Sequence, residues 1–365
     1  MVEVRELETN EYPAWNDLVA DSPQGNVFLR ADWLHMLGET DPDLGLLILG
    51  CFDKNRLVGG QAVTCQRRWG MTLSASFEFF YNGPLLSPDM PDQRASRVAK
   101  QRQILSALAE GMSARLAYID VDTHPSFQDA RPFLRSGWQV EPIYTHIWRM
   151  DDIERAWLDM NREKRREIKR AGEQFVFGVE ESDPAMDAFL PLYHGTMGKF
   201  SWRPSARWEA IFRRRFHWMQ ERDGCRLYTA RTEGGQLVGG VVVLLSRQDN
   251  TAYLWRQGSA RGFVEAGGIP ALYWHAATDL AGEFPNVNFG GSPQLSLDRF
   301  KDYLGAEAVM HFRLVKCNSR YRLAVFERAL KSKDIVYNLV MGVAYGPWQR
   351  LRHRGMAAAQ ERAAP

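Results

Sequence analysis

The sequence predicts an α/β protein of two tandem units, each a mixed, mostly antiparallel sheet with helices packed on it. Three observations carry this expectation. The chain has 365 residues, and at roughly 150 residues per domain that length calls for two cores. A repeat is present: Leu57-Val58-Gly59-Gly60 recurs as Leu237-Val238-Gly239-Gly240, 180 residues later (237 − 57), and so large a period marks a duplicated domain. Around each copy the same order can be read: helices, a hairpin, another strand, a helix.

In the first unit, 1–150, apolar periodicity predicts helices over 12–20 and 31–39, then a hairpin whose strands meet at the charged turn "DKN". A helix over 94–112 and strands in "RLAYIDV" and "THIWRM" follow. The second unit, 151–309, repeats the pattern: helices over 184–199 and 206–222, a hairpin closed by "EGGQ", a helix over 269–282 and a strand in "NVNFG". The boundary after Met150 rests on Asp151 and Asp152, acidic residues suited to a helix N-terminus, and on the basic helix they introduce. From Met310 the chain is again apolar and basic, so 310–354 is expected to return to the first unit; 355–365, "GMAAAQERAAP", reads as a disordered tail.

Composition narrows the function. The hydrophobic fraction of 45% and charged fraction of 25% are those of an ordinary folded protein, and a net charge of +2 gives no global field that demands nucleic acid. Any basic patch is local. Cys51, Cys65, Cys225 and Cys317 lie far apart with no C-x-x-C pair, which argues against a disulfide framework or a thiolate metal site. The start, "MVEVRELETNEY", lacks the apolar core of a signal peptide, and no apolar run reaches the roughly 18 to 20 residues that span a bilayer. The expected location is cytoplasmic, including the inner face of the membrane. There is no GxxxxGK[ST], HExxH or GxSxG motif, and the eight histidines are scattered, so neither a metal nor a nucleophile paired with a base is expected.

Two stretches carry the remaining signal. "NREKRREIKRAGEQFVFGV" and, further on, "NFGGSPQLSLDRFKDYLGAE" resemble the second domain of the Fem-type peptidoglycan bridge aminoacyltransferases and their acyltransferase relatives. That family has two tandem GNAT-like domains (the acyl-CoA N-acyltransferase fold), the second marked by a basic "R-x-x-x-R-x-A" helix and by "D-F-G-G … F-K-x-x-F-G". "NVFLRADWLHML" resembles the family's "F-x-Q-s-x-x-W", with Arg30 at the glutamine, and "NGP" at Asn82 to Pro84 resembles its "R-G-P". The likeness runs to about Lys316. Asn288 stands at the family's aspartate, and no long coiled-coil hairpin interrupts the second domain, which argues against a tRNA-grasping arm.

The resemblance implies transfer of an acyl or aminoacyl group to an amine of a cell-envelope precursor. Acyl-CoA or aminoacyl-tRNA would be the donor, and an anionic or lipid-linked precursor the partner. In such chemistry the amine attacks the donor directly, and the protein supplies positioning and charge stabilisation. Lys301 with Phe300 matches the family's Phe-Lys pair that faces substrate; the residues alone allow a core-facing Phe300 and a solvated Lys301. Gln257-Gly258-Ser259-Ala260-Arg261-Gly262 resembles the Q-x-x-G-x-G loop with which GNAT enzymes hold donor pyrophosphate, a plain glycine-rich connection being the alternative. Arg162, Arg165 and Arg166 belong to a run that is either a solvated face or a contact for acceptor phosphates or RNA. Arg30 is a further acceptor-binding candidate. Asp120 and Asp122 are read either as a proton acceptor or, through Asp122 or Ser126, as a cap on the next helix. Tyr253 lines either the cleft or the core. The stretch 335–354, apolar then basic, either lies on a membrane surface or docks on the body. The rival functions are a coenzyme A-dependent N-acyltransferase for exopolysaccharide or a small amine, and a GNAT-shaped binding module without turnover.

Overall fold

The computed structural model describes residues 2–75, 80–199, 202–292 and 294–331. The segments 335–354 and 355–365 lie outside them. The chain divides into two compact units, one formed by residues 1–143 with the chain from Met310, the other by 144–309. Each is described by itself.

The first unit opens with strand β1 (Val2–Glu6) and helices α1 (Tyr12–Asp21) and α2 (Ala31–Thr40). The hairpin β2 (Gly45–Asp53) and β3 (Arg56–Arg68) follows, then β4 (Met71–Ala75), the short β5 (Leu85–Leu86), helix α3 (Arg94–Arg115), β6 (Tyr118–Asp122) and α4 (Arg131–Arg135). Strand β7 (Gln139–Arg149) contains the division, between Ile143 and Tyr144. The second unit continues with α5 (Ile153–Asp159), α6 (Arg162–Gln174), β8 (Val176–Glu180), α7 (Asp183–Gly198) and α8 (Ala206–Gln220). The strands β9 (Cys225–Arg231), β10 (Leu237–Ser246) and β11 (Thr251–Ser259) come next, then α9 (Arg261–Glu265), α10 (Gly268–Leu280), β12 (Asn286–Asn288) and α11 (Leu295–Tyr303). Strand β13 (Glu307–Cys317) takes the chain back into the first unit, and α12 (Ser319–Lys331) is the last described element.

In the first unit the strand order is β1-β2-β3-β4-β6-β13, with β5 on β3; in the second it is β7-β12-β11-β10-β9-β8. Most pairs are antiparallel. The parallel ones are β4 with β6 and β11 with β12, the same place in each unit. One apolar core packs α3 against its sheet, with Leu49, Val63, Ile104, Leu108, Ile119 and Phe133 buried; the other packs α6 and α10 against theirs, with Ala171, Val241, Val243, Leu272, Ala276 and Val287 buried.

The repeat has a physical reason. In each LVGG run the valine is the extra residue of a β-bulge, since Cys51 and Phe52 pair with Gly59 and Leu57 while Ala230 and Arg231 pair with Gly239 and Leu237. The last glycine then lets an aromatic ring on an earlier helix, α1 in one unit and α7 in the other, touch the strand. A Cβ at Gly60 would lie 2.4 Å from the Trp15 ring, and one at Gly240 would lie 2.7 Å from the Phe189 ring.

Candidate functional site

In the second unit β11 and β12 pair in parallel through three residue pairs, the last being Tyr253 with Asn288. There β12 ends, whereas β11 runs on to Ser259. The two strands part at the FGG turn. Asn288 shapes that turn: its side-chain Oδ1 accepts from the Gly290 N–H (2.8 Å) and from Thr145 Oγ1 (2.6 Å). Both bonds use an oxygen acceptor, so the amide does here what a carboxylate would do. Phe289 N–H donates to the His146 carbonyl (2.9 Å), and the Phe289 ring meets Trp148 edge-on at 4.6 Å.

Lys301 enters this turn from α11. Its Nζ donates to the carbonyls of Gly290 (2.7 Å) and Gly291 (3.0 Å). An ammonium carries three donors, so the third is left for another acceptor. Lys301 is 7% exposed, which excludes the solvated lysine. Burial, partly countered by Asp298, brings its pKa down to about 8. Phe300 packs against the α6–α10 core with Lys164 Nζ 5.8 Å from its ring centre. Trp148 Nε1 fastens the end of α11 through the Leu304 carbonyl (2.6 Å). The Phe-Lys pair is thus built as one piece with the glycine turn.

Sequence reasoning missed His146. It is buried on β7, with Nε2 3.5 Å from Asp302 Oδ1 and Nδ1 lacking a hydrogen-bond partner. Burial first, then the charge of Lys301, lowers its pKa, and Asp298 and Asp302 oppose the shift. The imidazole is therefore neutral near pH 7. Its strand was legible, but a lone histidine in a β pattern gives no signal until α11 is laid beside it.

The proposed donor stretch is corrected in its local structure. Gln257 and Gly258 lie in β11, paired with Val241 and Gly240, and not in a loop. A Cβ at Gly258 would lie 2.5 Å from the Tyr193 backbone nitrogen, so that glycine admits helix α7. Arg261 and Gly262 open the one-turn α9, and Arg261 is paired with Glu265 (2.7 Å). The long helix begins later, at Gly268, after Gly267 (φ +77°) and without a side-chain cap. Gln257 remains of interest: across from Val241 it faces the α10 side, and its Nε2 is buried without a partner.

Other predicted residues fall elsewhere. Tyr253 is fully buried with its hydroxyl on Asp249, which places it in the core and not on a cleft wall. Arg30 is held by Asp32 through Nε (2.9 Å) and Nη2 (3.0 Å) at the start of α2 in the first unit. Arg162, Arg165 and Arg166 lie on α6. In the first unit a cavity of about 870 Å³ opens among Arg67, Arg68, Arg115 and Leu47; none of the predicted site residues lines it.

Asp120 and Asp122 end β6 in the first unit and have different surroundings. Asp120 is taken up by Arg313 (Nε to Oδ1, 2.7 Å) and by the Tyr118 hydroxyl (2.9 Å). Asp122 caps no helix: α4 begins only at Arg131, and Ser126 Oγ donates to the Pro23 carbonyl (2.6 Å). The capping alternative is therefore set aside. Asp122 Oδ1 is buried without a partner. Burial, reinforced by Asp120 and opposed by Arg313, raises its pKa to about 7. The native state then holds a proton that the unfolded chain has released between about pH 4 and 7. Stability from this group is full below that window and is lost as pH rises through it. Asp122→Asn is expected to flatten the decline, which urea titrations at about pH 4 and about pH 8 will measure.

Among the described residues no group of three or more histidine, cysteine, aspartate or glutamate side chains is placed to hold a metal ion. No helix among them is long and apolar enough to cross a membrane.

Residues 159–302 match the family model described as an acetyltransferase (GNAT) domain. No curated protein sequence matches the chain. Among solved structures, FemX superposes with a TM-score of 0.63 at 12% identity, covering 85% of this chain and 96% of its own. A tandem GNAT protein from the clavulanic acid biosynthesis pathway gives a TM-score of 0.51 at 14% identity, covering 86% and 98%. The C-terminal domain of a putative lysylphosphatidylglycerol synthetase from Agrobacterium fabrum gives 0.52 at 12% identity, covering 88% and 96%. Residues 159–302 thus match a GNAT acetyltransferase domain model and the chain has the fold of FemX and the tandem GNAT protein, so the GNAT-like fold implied by the likeness to the Fem-type acyltransferases is borne out.

Proposed function

We propose that this protein transfers an acyl or aminoacyl group to an amine of a cell-envelope precursor, with the reacting carbonyl held at the FGG turn of the second unit. The observation that carries the reading is the buried ammonium of Lys301, fixed by two loop carbonyls with one donor left over. Attack of a neutral amine on a thioester or ester carbonyl makes a tetrahedral oxyanion. A fixed cation in a desolvated site stabilises that charge without reorganising. Collapse expels the thiol or the ribose hydroxyl, and the amine's proton leaves to a nearby base. His146, neutral with a free Nδ1, is the base this unit offers.

The donor we favour is acyl-CoA. The parting of β11 from β12 leaves strand edge for an extended amide-bearing arm, and the buried Nε2 of Gln257 is a donor in want of an acceptor. The start of α10 from Gly268 onward, which has no side-chain cap, supplies N–H groups for phosphate in place of the loop expected at Gly258 to Gly262, the Gly267 N–H itself being taken by the Val264 carbonyl (3.1 Å). The cell-envelope acceptor rests on the resemblance to the Fem-type enzymes and on the fold shared with the lysylphosphatidylglycerol synthetase domain.

Calorimetric titration with acetyl-CoA tests the donor. The wild type is expected to bind, and Gln257→Leu to bind at least about fivefold more weakly, the share of one buried hydrogen bond. No heat from folded wild-type protein would remove the thioester donor and leave an aminoacyl-tRNA ester in its place.

A further inference from the structure

The basic run on α6 has a use that the transfer chemistry does not need. Arg162, Arg166, Lys169 and Arg170 recur at i, i+4, i+7 and i+8 and are exposed, with Arg165 half-buried beside them. Ile168 and Ala171 face the core. Lys164 is paired with Glu167 (2.7 Å), but the side chains of Arg162, Arg165, Arg166 and Arg170 have no hydrogen-bond or ion-pair partner among the described residues. The same face also carries two exposed carboxylates, Glu163, three residues before Arg166, and Glu173, three after Arg170.

Apolar side chains sit beside this stripe. Lys169 Nζ lies 6.0 Å over the Trp157 ring of α5, and the next residue, Leu158, is 62% exposed. At the start of α6 the Asn161 N–H bonds the carbonyl of Tyr303 (2.9 Å), whose ring is 52% exposed.

We infer that α6, with the adjoining end of α5, forms a docking face for an anionic lipid bilayer, the arginines meeting headgroup phosphates and Leu158 and Tyr303 entering the interface. Unpaired cations alone would suit any polyanion. Leu158 decides the partner: it gains from a surface where headgroups meet acyl chains, and an RNA backbone offers it nothing. The face would hold the protein where a lipid-linked acceptor lies.

Vesicle co-sedimentation of the full chain tests this without any donor or turnover, so its outcome is separate from that of the acyl-transfer reading. Vesicles of phosphatidylglycerol and phosphatidylcholine in equal amounts are compared with phosphatidylcholine alone. Binding to the anionic vesicles only is expected. It should fall about 100-fold in the triple variant Arg162→Gln, Arg166→Gln, Arg170→Gln, at about fivefold per charge, and about fivefold or more in Leu158→Asp. All four substitutions are on exposed side chains, and circular dichroism confirms folding. Equal binding to both vesicles, or a triple variant that binds like the wild type, overturns the inference. So does a triple variant that keeps vesicle binding but loses retention of total tRNA, which would assign the face to RNA.

Discussion

Lys301→Met is expected to lower acyl transfer by about 100- to 1,000-fold, the loss that follows removal of one preorganised oxyanion donor. Methionine fills nearly the same volume, so packing around Phe300 and Trp148 changes little. Two structural effects oppose each other. The carbonyls of Gly290 and Gly291 lose their donor, while a charge whose pKa burial had brought down to about 8 is removed. The variant should therefore still fold, with its thermal transition near that of the wild type. Initial rates with a primary amine acceptor and acetyl-CoA, read as kcat/KM, measure the effect. A loss confined to KM would assign Lys301 to uniform binding of donor or acceptor.

Arg313→Met is expected to destabilise the first unit by about 3–5 kcal/mol, because it leaves buried carboxylates without their counter-charge. The guanidinium bonds Asp120 through Nε at 2.7 Å, with Nη1 3.7 Å from Glu141, and its side chain is 16% exposed. It is also the cation that holds down the pKa of Asp122 against burial and Asp120. Without it Asp122 has a further reason to hold its proton. The variant's deficit should thus be smaller at about pH 4 than at about pH 7. Urea denaturation at the two values checks this, and the double variant Arg313→Met, Asp120→Asn should recover most of the loss.

The repeat was readable because LVGG does the same work twice. A bulge at Val58 or Val238 and a glycine under an aromatic ring leave few other residues possible at those places. The long helices were readable for a similar reason: their apolar spacing faces one sheet, so 12–20, 31–39, 94–112 and 206–222 all fall within a few residues of α1, α2, α3 and α8. Two strands were harder. β8, with Val176 61% exposed, has one solvated side and no strong alternation, and β13 was seen only as apolar chain from Met310. Lys301 and Phe300 were found through the FGG and FK motif, but the direction of the ammonium, into the turn, belongs to the tertiary structure. The loop expected at Gln257 failed because Gly258 reads as punctuation in a sequence, whereas here it makes room for a helix within a strand. His146 and the unpaired Asp122 Oδ1 gave no local signal, since partners distant in the chain create their environment.

The most direct test is the pH dependence of kcat/KM for acetyl transfer to a primary amine in wild type and Lys301→Met. The account predicts that wild-type activity falls above about pH 8, as the buried ammonium loses its proton, and that this alkaline limb is missing in the slower variant. Equal rates and the same alkaline limb in both proteins would contradict the assignment of Lys301 to the reacting carbonyl.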